Sequence, residues 1–125
     1  MPSFARLFAT TVLTVAFTAA PFAAPDVSGT YKVTGEIANN DLDATLVLKQ
    51  DGEVVAGTID FHGRAKPAPV SGTVKERAIT IRFEVQAEAG TYTNTWTGTI
   101  GDDGVVKGTV DVENMATGTF TATRQ

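Results

Sequence analysis

The sequence contains no cysteine and a single histidine among its 125 residues. The absence of cysteine excludes disulfide scaffolds, thiolate zinc sites and cysteine nucleophiles. Most acid–base catalysts and metal sites use histidine, and a single histidine does not supply a full set of such side chains. The sequence therefore predicts no metal and no cofactor. Basic residues are also scarce, since 10 Lys and Arg stand against 14 Asp and Glu, giving a net charge of -4. This balance argues against nucleic acid as a partner, because proteins that bind it carry a basic patch.

Residues 1–24 have the composition of a secretory signal peptide. Arg6 is the only charge, and an apolar stretch runs to Ala20 before a short segment of small residues and prolines. The stretch is short for a membrane span and no charged stop-transfer cluster follows it, although a retained hydrophobic anchor is the alternative. The sequence therefore predicts a signal peptide over 1–24 and one mature domain over 25–125. The predicted location is secreted or periplasmic, with no membrane span in the mature chain.

Gly-Thr pairs followed by an apolar residue recur along the mature chain. In most copies another apolar residue lies two positions before the glycine, as in Val27-Ser28-Gly29-Thr30-Tyr31. Alternate residues of an extended strand share a face, so the glycine lies with the apolar residues and Ser, Thr and Lys lie opposite. Helices with this much Thr, Val and Gly are unstable, and the repeats therefore predict strands. The glycines are Gly29, Gly57, Gly72, Gly98, Gly108 and Gly118.

Turn residues divide the mature chain into eight predicted strands. Asp51-Gly52 is one example, because Asn, Asp and Gly tolerate the positive φ of tight hairpin turns. The regular spacing and the absence of a helical period predict an all-β antiparallel meander. Eight strands joined by hairpins close into an up-and-down barrel without exposed edges, and a two-sheet β-sandwich is the alternative. The strands are predicted at about 27–37, 42–50, 54–61, 69–75, 78–86, 91–100, 105–112 and 116–124.

One face of the predicted sheet is apolar and the other is polar. Val33, Leu46, Ile81 and Trp96 belong to the apolar parity, whereas Thr, Lys, Asp, Glu and Arg dominate the opposite parity. This alternation is typical of an antiparallel sheet that covers an apolar interior and faces water outside. An outer-membrane barrel requires the reverse arrangement, with apolar side chains facing lipid.

Two positions at the ends of the mature chain resemble the calycin group of lipocalin- and avidin-like barrels. Those families commonly carry Gly-x-Trp early in the first strand and a basic residue late in the last strand that packs over the ring. The matching residues here are Gly29-Thr30-Tyr31 and Arg124, with Tyr in place of Trp. The resemblance implies a barrel in which Arg124 lies over Tyr31. The sequence carries no recognisable biotin-binding set, so the resemblance implies no particular ligand.

Seven side chains on the inward parity form the predicted ligand site. Six are large aromatic residues, and the seventh is Asn94, whose amide needs hydrogen-bond partners that a ligand or water supplies. The alternative is a solid core filled by the same rings, because an eight-stranded barrel is wide enough either to be filled or to hold one small ligand. The predicted lining residues are Tyr31, Phe61, Phe83, Tyr92, Asn94, Trp96 and Phe120.

His62 is the candidate for acid–base chemistry. Asp60, His62 and Arg64 share the outward parity if the strand continues, and a carboxylate that holds a histidine favours general-base action. A nucleophilic catalytic set would also need a serine, a cysteine or a second histidine, and the sequence pattern around His62 contains none of these. The sequence therefore favours a solvated loop histidine and a protein that is not an enzyme.

Two short acidic clusters, Asp41 with Asp43 and Asp102 with Asp103, are the candidates for calcium ligands. Neither continues into an EF-hand loop with its sixth-position glycine and terminal glutamate. Both are therefore predicted to form turns.

These patterns predict an exported, non-enzymatic binding module that holds a small apolar molecule in the barrel lumen. The alternative is a module that binds a protein partner, such as a protease inhibitor, through its outer face or an N-terminal arm formed by Pro21–Asp26. The two hypotheses differ in what they require of the lumen, because only the first needs an internal volume.

Overall fold

The structure, a computed structural model, describes residues 25–125, which form a closed barrel of eight antiparallel strands. The predicted signal peptide over 1–24 lies outside the described residues. Each strand pairs with its neighbours in sequence, in the order β1 to β8. The strands are β1 Gly29–Ile37, β2 Asn40–Asp51, β3 Val54–Asp60, β4 Ala68–Lys75, β5 Ala78–Ala87, β6 Gly90–Ile100, β7 Val106–Val112 and β8 Ala116–Arg124.

The pairing of the first strand with the last decides between a barrel and a sandwich. β1 and β8 are antiparallel neighbours with Tyr31 opposite Arg124 and Ile37 opposite Gly118. This ladder closes the sheet, so the predicted eight-stranded meander barrel is confirmed and the β-sandwich alternative is wrong. Residues 25–125 also contain no helix with the length and apolar character needed to cross a membrane.

Short turns connect most of the strands, and their backbone angles explain their residues. Ala38 and Asn39, between β1 and β2, have φ values of 50° and 67°. Two consecutive residues with positive φ match the right-handed twist of the flanking strands, as hairpin turns of this kind require. The longest connection is the one between β3 and β4, which contains the sole histidine.

The apolar parity faces the barrel interior and forms one continuous core. Val33, Ile59 and Trp96 are almost fully buried, and most of the other inward-facing strand residues are buried as well. The interior glycines bring neighbouring strands unusually close together. A Cβ placed on Gly57 would collide with the backbone carbonyl of Val47, and one on Gly35 would collide with that of Thr119. These positions therefore require glycine for the sheet to coil this tightly.

The segment before β1 closes one end of the barrel. Val27 is almost fully buried, and its backbone N–H donates to Gln50 Oε1 at 2.8 Å. Ser28 Oγ accepts the backbone N–H of Gln50 at 2.9 Å. Residues 26–28 are therefore held across this end of the barrel, which we call the closed end. The opposite end, the open end, carries the connections β1–β2, β3–β4, β5–β6 and β7–β8.

Candidate functional site

The middle of the barrel lumen is filled by side chains. Its cavity has a volume of only about 10 Å³ and is surrounded by apolar groups. That volume is at the lower limit for one water molecule, and an apolar cavity of this size stays dry. Tyr31, Trp96 and Phe120, which the sequence predicts as ligand contacts, are therefore part of a solid core that surrounds this small cavity. The small cavity is lined by Tyr31, Leu46, Leu48, Ile79, Ile81, Trp96, Val106, Phe120 and Ala122.

Four aromatic rings run in contact from the open end into this core. The Phe61 and Phe83 ring centroids are 6.0 Å apart, and Phe83 meets Trp96 at 5.3 Å with an edge-on geometry. Trp96 in turn lies 4.9 Å from Phe120. Such pairs add about 0.5–1.5 kcal/mol each beyond their buried area. Because these rings are in contact, a molecule that binds at the open end alters the environment of Trp96, the sole tryptophan.

A shallow apolar depression of about 290 Å³, which we call the open-end cup, occupies the open end. Phe61 and Tyr92 contribute its aromatic walls, and both are only partly buried. Its volume lies just below the range of about 300–1,000 Å³ that is common for small-molecule pockets. The cup is lined by Ile37, Leu42, Phe61, Arg64, Ala65, Val85, Ala87, Tyr92, Asn94, Val112 and Met115.

Asn94 is the buried polar group of the open-end cup. Its side chain is 4% exposed, and it is the sole buried polar residue between 25 and 125. The amide Nδ2 donates to the Tyr92 carbonyl at 3.4 Å, and Oδ1 accepts the Trp96 indole N–H at 3.3 Å. Both hydrogen bonds are long, and an amide NH₂ has two hydrogens to donate. Within the described residues Asn94 thus retains a second, unused donor beside the cup, and a buried donor without an acceptor costs about 1–3 kcal/mol.

The seven predicted site residues therefore divide between two regions. Phe61, Tyr92 and Asn94 line the open-end cup, and Phe83 lies directly beneath Phe61 in the chain of aromatic rings. The other three belong to the filled core. The sequence parity places all seven inside the barrel, but it carries no signal for how deep each lies. It also gives no reason to select Val85, Arg64 or Met115, which the structure adds to the cup.

The structure places Arg124 over Tyr31 at the closed end. The guanidinium carbon is 5.4 Å from the ring centroid, and Nη2 donates to the Tyr31 hydroxyl at 2.9 Å. Gly29 permits this arrangement, because a Cβ at that position would come within 3.3 Å of the Arg124 Nε. Gly29 also has a φ of 145°, which few residues other than glycine adopt. The pair closes the barrel and is remote from the cup.

The N-terminal arm of the protein-binding hypothesis is partly visible. Pro21–Ala24 lies outside the described residues. The Asp26 carbonyl accepts Arg124 Nη2 at 2.8 Å, and its carboxylate accepts the backbone N–H of Ser28 at 2.9 Å. This last hydrogen bond is the main reason that the pKa of Asp26 is lowered. Asp26 is therefore the point at which any preceding arm joins the barrel.

His62 lies in a hydrogen-bonded cluster that the sequence pattern does not reveal. Its Nε2 is 2.8 Å from the hydroxyl of Thr45, and its Nδ1 is 3.5 Å from a carboxylate oxygen of Asp43. β3 ends at Asp60, whose carboxylate accepts the His62 backbone N–H, so the strand does not continue and the condition for a shared parity of Asp60, His62 and Arg64 is not met. The His62 side chain is 44% exposed. The cluster ties the β3–β4 connection to the outer face of β2.

Of the two acidic clusters, Asp102 and Asp103 lie in the turn between β6 and β7 as predicted, whereas Asp41 and Asp43 lie within β2, so the prediction that they form a turn is wrong. Asp102 forms an exposed ion pair with Arg77 at 3.0 Å, and Asp103 accepts the backbone N–H of Val105 at 3.0 Å. These contacts stabilise the β6–β7 connection, as expected of turn-forming aspartates. No group of three metal-ligating side chains occurs between residues 25 and 125.

No protein-family model and no curated protein matches the chain. Among solved structures, the chain is similar to one described as a redesigned beta barrel, with a TM-score of 0.65. The match covers 79% of this chain and 91% of that chain, at 12% sequence identity. A likeness at this identity shows a shared barrel fold and nothing about the ligand or activity.

Proposed function

We propose that the protein is a non-enzymatic binding module that takes one small, largely apolar ligand in the open-end cup. The observation that carries this proposal is the position of Asn94. A buried amide with an unused donor lies among mostly apolar walls, at the open end of a barrel whose interior is filled. An apolar pocket with one polar group that fixes orientation is the usual design of a small-molecule site.

The dimensions of the cup restrict the ligand class. At about 290 Å³ the cup holds a compact molecule, and the filled core below prevents a long chain from passing further into the lumen. The donor on Asn94 favours a ligand with one hydrogen-bond acceptor, such as a carbonyl oxygen. The ligand that fits is therefore a small apolar ketone, aldehyde or ester.

The proposal also covers the cellular location of the protein and its relation to the calycin barrels. The composition of residues 1–24 supports export to the periplasm or the extracellular space. The Arg124–Tyr31 contact supports a calycin-like origin of the barrel, since the resemblance implies that pairing. On this proposal the cup receives its ligand outside the cytoplasm.

The first test is the mass of the protein purified from a secreting host, measured under native and denaturing conditions. A mass excess that appears only under native conditions reports a bound molecule, whose mass must suit a cup of about 290 Å³. The second test does not depend on a copurified ligand. It uses acetophenone, which has an acceptor oxygen, and ethylbenzene, which has nearly the same shape without one.

The indole N–H signal of Trp96 reports binding, because this group is hydrogen-bonded to Asn94. We expect acetophenone to shift the signal in a saturable manner and to bind about threefold to tenfold more tightly than ethylbenzene. The preference should disappear in Asn94→Leu and persist in Val54→Ser, an exposed control position. An unshifted indole signal at millimolar acetophenone, or a preference that survives in Asn94→Leu, would overturn the proposal.

A further inference from the structure

The β3–β4 connection brings one cation to the rim of the open-end cup. Among the residues that line the cup, Arg64 is the sole charged one. The remaining lining residues are apolar or aromatic, apart from Asn94. The Arg64 side chain is exposed, so its charge lies where the cup meets water.

A tight turn places Arg64 at this rim. Its backbone N–H donates to the Phe61 carbonyl at 3.3 Å, and the intervening His62 and Gly63 have φ values of 58° and 90°. Phe61 and Arg64, the two ends of the turn, both line the cup. The contact of His62 with Thr45 holds the turn against β2. The backbone of the connection therefore fixes where the arginine side chain begins.

The guanidinium group of Arg64 is held beside β2 by one hydrogen bond. Its Nη1 donates to the Asp41 carbonyl at 3.2 Å. The ladder of β2 with β3 ends at Thr45 and Asp60, so the arginine occupies a place beside Asp41 that β3 does not reach. Leu42, the next residue of β2, belongs to the cup wall. The guanidinium group therefore lies next to that wall.

Most of the hydrogen-bonding capacity of Arg64 is unused within the described residues. A guanidinium group has five N–H donors, and Arg64 has one side-chain acceptor contact, with the Asp41 carbonyl. Arg64 forms no ion pair between residues 25 and 125, whereas Arg77 pairs with Asp102. A cation with donors to spare, at the rim of an apolar pocket, favours a ligand that carries a planar anionic group.

The exposure of the rim lowers the cost of placing an anion there. A carboxylate that loses all its water pays a large desolvation penalty. Met115, which also lines the cup, is 65% exposed, so a carboxylate at the rim keeps part of its hydration. Glu88 and Glu113 lie in the β5–β6 and β7–β8 connections at the same end, and neither lines the cup. Their charges disfavour a second negative charge on the ligand.

We infer that the ligand of the open-end cup is a small oxo carboxylic acid, whose carboxylate pairs with Arg64 and whose carbonyl accepts from Asn94. The inference rests on the proposed function, because it assigns a second polar group to the same ligand. The filled core leaves no room for the long chain of a fatty acid, so the apolar body is compact, such as one aromatic ring. Arg64 is then a specificity-determining residue that selects an anion over a neutral molecule of the same shape.

The test compares acetophenone with meta-acetylbenzoate, para-acetylbenzoate and the two corresponding neutral amides. All five compounds share the ring and the acetyl group, and the indole N–H signal of Trp96 reports the binding of each. We expect at least one carboxylate to bind at least threefold more tightly than acetophenone at low ionic strength. Its amide should show no such gain. The gain should shrink in about 1 M salt, because a pair at an exposed rim is screened.

Substitution of Arg64 tests its role directly. Arg64→Met keeps an unbranched apolar stem and removes the charge, so it should abolish the gain of the carboxylate and leave the affinity for acetophenone unchanged. Arg82→Met removes the same charge from the exposed outer face of β5, where it does not line the cup, and should retain the gain. An Arg64→Met variant that keeps the gain, or that loses acetophenone binding as well, would overturn the inference.

The outcomes separate this inference from the proposal on which it rests. If acetophenone binds and both carboxylates gain less than threefold, the cup takes a neutral ligand and the role of Arg64 is overturned. If an amide gains as much as its carboxylate, the cup does not recognise the charge, and the inference fails in the same way. If none of the five compounds shifts the indole signal at millimolar concentration, the inference and the proposed function fail together.

Discussion

The guanidinium group of Arg124 covers the ring of Tyr31 and joins the last strand to the first at the closed end of the barrel. Its carbon lies 5.4 Å from the ring centroid. One of its nitrogens donates both to the Tyr31 hydroxyl at 2.9 Å and to the Asp26 carbonyl at 2.8 Å. The Tyr31 hydroxyl donates onward to the Val27 carbonyl at 2.9 Å. One side chain of the last strand thus fixes both the first strand and the segment that closes the barrel.

Replacing Arg124 tests this arrangement. Arg124→Met keeps most of the aliphatic stem but removes the cation–π contact and both hydrogen bonds, so we expect a loss of about 1–3 kcal/mol in the free energy of unfolding. Urea denaturation measures this loss. Lys107→Met, on the exposed outer face, should change stability by less than about 0.5 kcal/mol. Equal stability of the two variants would show that Arg124 does not hold the closed end.

Trp96 should be the most sensitive position of the core. Its ring is 1% exposed and contacts both Phe83 and Phe120. Trp96→Ala should therefore destabilise the barrel by about 3–5 kcal/mol, measured by circular dichroism in urea. Thr97→Ala, the outward-facing neighbour, is the control and should have a small effect. A loss below about 1 kcal/mol at Trp96 would contradict a solid core.

Gly57 tests the close approach of β2 and β3. A Cβ at this position would overlap the backbone carbonyl of Val47, which cannot move aside as a flexible side chain does. We expect Gly57→Ala to lower the free energy of unfolding by about 3 kcal/mol, in the upper part of the usual range for overpacking. Ala56→Ser alters the adjacent outward-facing residue and should be nearly neutral. Normal stability of Gly57→Ala would mean that the strands are further apart than the structure shows.

Asp26 should make the closed end sensitive to acid. The Ser28 backbone N–H, followed by the Ser28 side chain and the charge of Arg124, lowers the pKa of Asp26. Because the pKa is lower in the folded state, the ionised form favours folding. Its contribution is complete above the unfolded value of about 3.9 and is lost as the pH falls through the folded value.

The carboxyl carbon signal of Asp26 in an NMR titration measures this pKa directly. We expect a midpoint below the ordinary range for aspartate. The stability difference between the natural protein and Asp26→Asn should shrink as the pH falls through that midpoint. A normal midpoint, or a stability difference that is independent of pH, would contradict the prediction.

His62 should act as a clamp on the β3–β4 connection. His62→Ala removes the contacts with Thr45 and Asp43, both of which lie on the exposed outer face. We expect faster amide exchange in residues 61–66 and a change in global stability below about 1 kcal/mol, as is typical of exposed polar contacts. Unchanged exchange in this connection would show that the cluster has no effect on it. Lys107→Met again serves as the exposed control.

Most of the fold was predictable from the sequence because strand periodicity and turn chemistry are local. The alternation around Val33 and Trp96 selects the buried face of each strand, and Asp51-Gly52 marks a hairpin without reference to the rest of the chain. The strand boundaries agree with the structure to within two residues for the same reason. The pairing of Tyr31 with Arg124 was accessible only through a resemblance, since the two residues are far apart in the sequence.

The candidate site was less predictable, because depth and separation are properties of the assembled barrel. Parity assigned Trp96 and Tyr92 to the same face, but only the folded sheet places one ring in the core and the other in the open-end cup. The Thr45–His62 contact joins β2 to the β3–β4 connection and leaves no local pattern.

The sequence by itself determined that this chain forms eight strands with one apolar face, because side-chain alternation and turn preferences act between near neighbours. The tertiary structure alone decided that the first and last strands meet, that the large rings fill the lumen, and that the unused amide donor lies at the open end. These features depend on which distant strands become neighbours and on how tightly the glycines let them coil. No local pattern encodes either quantity.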